Sequence, residues 1–165
     1  MSWKDTYKVW QERTDLEPDL KQELAAMSDD KEIEDAFYGP LSFGTAGMRG
    51  LMGPGINRMN VYTVRQATEG LATLMDSLGD DIKKRGVAIG YDSRHNSRKF
   101  AHDAARVLGA HGIKVYIYDN LRPTPELSFA VRHMGTYAGI MITASHNPKE
   151  YNGYKIYGED GGQMP

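Results

Sequence analysis

Tyr137-Ala138-Gly139-Ile140-Met141-Ile142-Thr143-Ala144-Ser145-His146-Asn147-Pro148 passes from an apolar run straight into a polar turn. Tyr137 to Ile142 reads as a buried strand, and it delivers Ser145 at its carboxyl end. Upstream, Val87-Ala88-Ile89-Gly90-Tyr91 has the same character and ends in the polar Asp92-Ser93-Arg94. Ile113 to Tyr118 gives a further strand. Helical spacing fills the intervals. Val64, Ala67, Leu71, Leu74, Met75 and Leu78 make an apolar stripe over Tyr62 to Leu78, with Gly79 as its stop. Ser97 reads as the cap of a helix with Phe100, Ala101, Ala104, Ala105 and Leu108 on its inner face, ended by Gly109 or Gly112. Thr124-Pro125 opens another helix, to about Met134, with Leu127 and Val131 facing inward. This alternation predicts a layered α/β/α domain with a mixed, largely parallel sheet. Ligands of such sheets bind beyond the carboxyl ends of strands, which directs attention to Asp92-Ser93-Arg94 and Ser145-His146-Asn147.

Residues 1–40 form a helical lead-in and residues 41–165 the layered domain. In the lead-in, Glu17-Pro18 places proline in a first helical turn, Leu20, Leu24 and Met27 keep helical spacing, and Ile33 and Phe37 continue it up to the Gly39-Pro40 break. Leu41 to Phe43 and Met48 to Met52 read as extended. The 165 residues, 40% hydrophobic and 25% charged, suit one globular domain with a real core. A formal net charge of -2 provides no general attraction to nucleic acid or to an anionic membrane. Without cysteine there are no disulfides, thiolate metal sites or thiol nucleophiles. No apolar stretch follows Met1 and none is long enough to span a bilayer, so a cytoplasmic protein with no signal peptide is the expectation.

Ser145 needs activation to act as a nucleophile, and His146, Lys149 and Lys155 are its nearby polar neighbours in sequence. A phosphoserine there would be stabilised by cations and turn N–H groups. Taken alone, Ser-His-Asn-Pro is an ordinary turn, and the flanking Ala144 and His146 do not make a Gly-x-Ser-x-Gly hydrolase elbow. Lys155, among Tyr154, Ile156 and Tyr157, fits a half-buried strand, where desolvation would suit it to proton transfer. Gly44-Thr45-Ala46-Gly47-Met48-Arg49-Gly50 surrounds an arginine with glycines, either a phosphate cradle or a simple turn between strands. Asp92 and Arg94 either pair with one another or hold a ligand at a helix start. His95, His102, His111 and His133 show no metal-like spacing.

Four of these segments, in this order, resemble the α-D-phosphohexomutase superfamily, which includes phosphoglucomutases and phosphomannomutases. Thr143 to Pro148 is similar to its phosphoserine signature, and Gly44 to Gly50 to its Gly-Thr-x-Gly-x-Arg-Gly segment. Gly90 to Arg94 is similar to its Gly-x-Asp-x-Arg strand end, and Asn152-Gly153-Tyr154-Lys155 to its Asn-Gly-x-Lys. Thr124-Pro125 fits a further landmark. The resemblance runs from about Phe43 to the last residue. The lead-in resembles the longer N-terminus of the bacterial phosphoglucomutase branch related to phosphopentomutases.

The resemblance implies that Ser145 carries a phosphoryl group between sugar monophosphates, through a bisphosphorylated intermediate that turns around in the site. It implies Lys155 as general acid/base, His146 as an aid to proton transfer or positioning, and Arg49 on the phosphoserine or the transferring group. Thr45, Gly47, Asp92, Arg94, Asn147 and Lys149 fall in the surrounding shell. It implies Mg²⁺, held by the Ser145 phosphate together with an Asp-x-Asp loop of a second domain. Glu159-Asp160-Gly161-Gly162 does not match that loop. The family's enzymes have four domains, and this chain is expected to supply the first and to be inactive alone. The implied substrates are glucose 1-phosphate and glucose 6-phosphate, with a sugar 1,6-bisphosphate as activator. A mannose- or pentose-phosphate mutase, or a non-catalytic phosphosugar-binding module, are the alternatives.

Overall fold

The computed structural model describes residues 1–165. Three helices lead in: α1 (Trp3–Glu12), α2 (Pro18–Ala26) and α3 (Asp30–Phe37). The remainder runs β1 (Phe43–Gly44), β2 (Gly47–Leu51), α4 (Val61–Leu78), α5 (Asp80–Arg85), β3 (Val87–Tyr91), α6 (Ser97–Ala110), β4 (Val115–Ile117), α7 (Thr124–Met134), β5 (Ala138–Ile142) and β6 (Tyr151–Tyr157).

The strands form one six-stranded sheet in the order β1-β2-β6-β5-β3-β4. It is mixed, but its parallel share is smaller than the sequence led us to expect. Only β3 pairs in parallel, with β4 and with β5, while β1–β2, β2–β6 and β5–β6 are antiparallel. The connections explain the division. Parallel neighbours need a long crossover, which α6 and α7 supply, whereas β6 follows β5 after a short polar loop and must return antiparallel.

Side chains on β3 alternate between two cores. Val87, Ile89 and Tyr91 face α4 and α6, with Val64, Met75, Phe100 and Leu108. Ala88 faces α7, with Leu127, Val131, Met141 and Tyr157. The lead-in has a cluster of its own, built on Trp10, Leu16, Leu24, Ile33 and Phe37. Leu20 enters the main core. Tyr62 ties the two together: its ring meets Trp10 edge-on at 5.7 Å and its hydroxyl accepts from the Glu17 N–H at 2.9 Å.

Three local expectations change. Leu74 and Leu78 are 42% and 48% exposed, because the buried stripe of α4 runs through Val61, Val64, Thr68, Leu71, Ala72 and Met75. Ser97 does not cap α6. Asn96 holds that position at φ 64° without a side-chain cap, and Ser97 points inward. The short α5 had no apolar periodicity to reveal it and buries no side chain. Asp80 and Asp81 open it and Lys83, Lys84 and Arg85 close it, the charge order a helix dipole favours.

At the end of α6, His111 is clamped between two carboxylates of α4. Its Nδ1 is bonded to Asp76 and its Nε2 lies 2.7 Å from Glu69. Asp76 first, then Glu69, raise the imidazole pKa above its ordinary value of 6.5. The same bond, helped by Lys83, lowers that of Asp76. A raised histidine contributes stability that is complete below its unfolded pKa and is lost as pH rises through the folded one. Asp76 keeps its own contribution above the ordinary carboxylate range. In urea titrations from about pH 6 to about pH 9, the stability gap between wild type and His111→Gln is therefore expected to narrow as pH rises. A gap constant across that range would show that the clamp does not act through the imidazolium.

Candidate active site

The site grows from the carboxyl end of β5. After Ile142 the chain turns, and the Thr143 hydroxyl accepts the Ser145 N–H at 3.1 Å. Ser145 sits at φ 54°, a left-handed conformation uncommon for a residue with a side chain. The Asn147 N–H closes the turn on the Ala144 carbonyl at 3.1 Å. The result is a buried strand that ends in an exposed serine hydroxyl.

The neighbouring strand brings the lysine. In the β5–β6 register Lys155 lies opposite Met141, and its Nζ donates to Ser145 Oγ at 2.8 Å. Lys155 is half-buried, and desolvation, followed by the charge of Arg49, lowers its pKa. Arg49 comes from β2, opposite Gly153 of β6, and its Nη1 donates to Asn147 Oδ1 at 3.1 Å.

Arg94 holds the loop rather than standing free. Its guanidinium donates to the carbonyls of Ser145 at 2.8 Å, Asn147 at 2.7 Å, Pro148 at 2.9 Å and Tyr151 at 3.2 Å. Five donors on a rigid fork suit such a multiple grip. Asp92 in turn steadies Arg94: Oδ1 accepts the Arg94 N–H at 2.9 Å and Oδ2 lies 3.6 Å from Nε. The Asp92–Arg94 pair anticipated in the sequence is therefore present, with the arginine facing the serine loop.

Two further residues stand behind this pair: Ser97, expected as a helix cap, and Asn152, which opens the Asn-Gly-x-Lys motif but carried no expected role. Ser97 Oγ donates to Asp92 Oδ1 at 2.7 Å. Asn152, fully buried, donates from Nδ2 to Ser97 Oγ and to the His95 carbonyl, each at 3.0 Å, and its Oδ1 accepts the Gly153 N–H. A continuous path thus joins β6 to the serine loop through Asn152, Ser97, Asp92 and Arg94. The available signal was Asn152 itself: an amide in an apolar strand must find partners when buried.

The other expected residues stand further out. His146 is exposed and makes no hydrogen bond, so Lys155 and not His146 reaches the serine oxygen. Lys149 is exposed and lines, with Asp92, Arg94, Ser145 and Asn147, an open pocket of about 730 Å³. Thr45 is exposed, and its carbonyl accepts from Gln163 at 3.3 Å. Gly47, at φ 86°, lets the β1–β2 turn press on β6, since a Cβ there would lie 2.6 Å from the Tyr154 carbonyl oxygen.

Gly153 has a comparable role under the loop. A Cβ would lie 2.5 Å from the Thr143 carbonyl oxygen and 2.9 Å from Arg49 Cγ. Gly153→Ala must push the serine turn away from β6. It is expected to cost about 1–3 kcal/mol in urea unfolding and to shift the amide resonances of residues 143–147. Unchanged stability would contradict the close packing of that turn.

Lys155 holds the serine hydroxyl, Arg94 the serine carbonyl and Arg49 the neighbouring Asn147, so three cations converge on one turn. Such an arrangement can neutralise a phosphate placed there and move a proton at Oγ. It does not form a magnesium site. No group of three or more histidine or acidic side chains is placed to hold a metal ion, and the groups around Ser145 are mainly cations.

Residues 40–165 match the family model for the phosphoglucomutase/phosphomannomutase alpha/beta/alpha domain I. A phosphoglucomutase from Staphylococcus epidermidis is 46% identical over 149 residues, which cover 90% of this chain and 27% of that protein. One from Staphylococcus aureus is 45% identical over 157 residues, covering 95% and 28% respectively. A crystal structure from Thermus thermophilus, described as a candidate phosphomannomutase, superposes with a TM-score of 0.67 at 34% identity, over 76% of this chain and 27% of that one. The chain thus spans about a quarter of the length of the curated relatives it matches.

Proposed function

The chain belongs to the phosphoglucomutase/phosphomannomutase family as its domain I, and on that premise we propose that it is the catalytic-serine domain of a phosphoglucomutase. In this reading Ser145 carries the phosphoryl group that interconverts glucose 1-phosphate and glucose 6-phosphate. The single observation that carries it is the 2.8 Å hydrogen bond from Lys155 to Ser145 Oγ, on a lysine whose pKa burial and Arg49 depress.

Each half-reaction then has a defined proton balance. When phosphoserine gives its phosphoryl group to a sugar hydroxyl, the Oγ–P bond breaks, the new sugar O–P bond forms, and Oγ takes a proton from the Lys155 ammonium. The proton of the attacking hydroxyl leaves to a base outside this chain. In the return step Ser145 Oγ attacks the other phosphate of the bisphosphorylated sugar, and Lys155 takes back the serine proton. The sugar oxygen that is released picks up one in turn. A lysine with a lowered pKa serves both directions. Arg49, Lys155 and Lys149 offset the charge on the transferring oxygens, since phosphoryl transfer depends mainly on positioning and charge neutralisation. Arg94, Asp92 and Asn147 hold the loop, Thr45 and Gly47 shape the adjacent turn, and His146 takes part only if substrate draws it inward.

Mg²⁺ would join the Ser145 phosphate through ligands from elsewhere in the full-length protein. A sugar monophosphate is the substrate, a sugar 1,6-bisphosphate the activator, and the cytoplasm the compartment. No helix is long and apolar enough to cross a membrane.

The glucose assignment rests on relatives named phosphoglucomutase that are 45–46% identical to this chain. The test is to assay the full-length protein with glucose, mannose and pentose phosphates in parallel. The highest kcat/KM is expected with glucose 1-phosphate. Preference for mannose or pentose phosphate would replace the glucose assignment and leave the serine chemistry standing. Turnover of none would favour a non-catalytic phosphosugar-binding module.

A further inference from the structure

Ser97 is fully buried at the first turn of α6, yet it does not cap that helix. Its hydroxyl donates to Asp92 Oδ1 at 2.7 Å and accepts from Asn152 Nδ2 at 3.0 Å. Its N–H donates to the Arg94 carbonyl at 3.1 Å. One residue thus meets the end of β3, the Arg94 backbone and β6.

These bonds belong to a closed ring. From Ser97 the ring passes through Asp92 to Arg94, whose guanidinium donates to the Ser145 carbonyl at 2.8 Å. It returns from the serine turn through the Thr143 N–H, which donates to the Gly153 carbonyl at 3.0 Å. The Gly153 N–H donates to Asn152 Oδ1 at 2.8 Å, and Asn152 leads back to Ser97. Only two non-glycine residues have a positive φ, Ser145 at 54° and Asn96 at 64°, and both stand beside this ring. Such a backbone persists only where its surroundings over-determine it. No residue from Ser145 to Glu150 is buried, so polar bonds rather than packing fix the turn.

We propose that Ser97 is a positioning residue for phosphoryl transfer, which acts through Asp92 and Arg94 to fix the turn that sets Ser145 Oγ against Lys155. The inference rests on the reading of Ser145 as the phosphoryl carrier and deepens it. Ser97 is fully buried and touches no reacting atom. Its hydroxyl orients one carboxylate, that carboxylate orients one guanidinium, and the guanidinium holds four carbonyls of the loop. Without the hydroxyl, Asp92 Oδ1 keeps only the Arg94 N–H, and Asn152 Nδ2 keeps only the His95 carbonyl. The Arg94 head can then shift, and Ser145 Oγ with it. A displacement of about 1 Å at a reacting atom can cost about 10²-fold in rate.

The test is made on the full-length protein. Ser97→Ala is expected to lower kcat with glucose 1-phosphate by about 10- to 100-fold and to change KM by less than about twofold. Labelling by phosphate-labelled glucose 1,6-bisphosphate should slow to match and still fall on Ser145. In an Arg94→Met background the clamp is already gone, and Ser97→Ala should cost less than about twofold more, because the two residues act in one path. Thr136→Ala controls for a general loss of buried hydrogen bonding. Its hydroxyl is equally buried but bonds the Ala138 carbonyl at the amino end of β5, and kcat should stay at the wild-type value. Asp92→Asn, at a side chain 25% exposed, covers the case in which Ser97→Ala does not fold, and should show the same selective loss of kcat. Wild-type kcat in folded Ser97→Ala or in Asp92→Asn would overturn the proposal. So would an equal loss in Thr136→Ala, or an undiminished effect of Ser97→Ala in the Arg94→Met background. Label on a residue other than Ser145 in the wild type would instead overturn the serine assignment, so the two can fail separately.

Discussion

Ser145→Ala in the full-length protein is expected to lower interconversion of glucose 1-phosphate and glucose 6-phosphate by about 10⁴-fold or more, the scale on which losing a covalent nucleophile acts. The fold should hardly notice the change. The side chain is exposed and its oxygen is bonded only by Lys155. The turn itself is fixed through backbone groups, with the Ser145 N–H on Thr143 and the Ser145 carbonyl on Arg94. Alanine retains both. Its left-handed backbone at φ 54° is strained for either residue. Activity should therefore vanish at nearly unchanged stability, and substrate binding should survive. Turnover near the wild-type rate would mean that another group carries the phosphoryl.

Lys155→Met is the second large effect. Methionine keeps much of the stem length and the packing between Gly47 and β6, but removes the only group that donates to Ser145 Oγ. Loss of a positioned proton donor and acceptor typically costs about 10²–10⁴-fold, and the loss should fall on kcat more than on KM. The pH profile separates proton transfer from simple charge. In wild type the limb set by Lys155 should lie below an ordinary lysine pKa, because burial and then Arg49 depress it. Lys155→Arg keeps the charge but should lose that limb along with most of the rate. Wild-type activity in Lys155→Arg would show that the position supplies charge alone.

Much of this architecture could be read from the sequence because the elements are periodic. The strands ending at Tyr91 and Ile142 are continuous apolar runs, and α7 opens at Thr124-Pro125 as expected. Ser145, Lys155, Arg49, Asp92 and Arg94, singled out in the sequence by their resemblance to family motifs, lie close together in the fold. What stayed hidden depends on partners distant in sequence. Leu74 and Leu78 fit a helical stripe, but the α4 surface that meets the sheet is set by packing, and Thr68 is drawn inward by its bond with the buried Tyr154 hydroxyl at 2.9 Å. Ser97 looks like a cap because local spacing cannot show Asp92 Oδ1 waiting at 2.7 Å. Asn152, an amide in an apolar strand, signals that it needs partners, but not that they are His95 and Ser97, more than fifty residues away. His146 illustrates the converse: adjacency in sequence suggested a part beside Ser145, yet at a left-handed turn the neighbouring side chain points away into solvent.

The central claim is that the serine at the end of β5 is where the phosphate resides. Incubating the full-length protein with glucose 1,6-bisphosphate labelled in its phosphates, and locating the label by peptide mass spectrometry, tests it most directly. The account predicts one labelled residue, Ser145, with label discharged on adding glucose monophosphate and absent from Ser145→Ala. Label on any other residue, or undiminished labelling of Ser145→Ala, would contradict it.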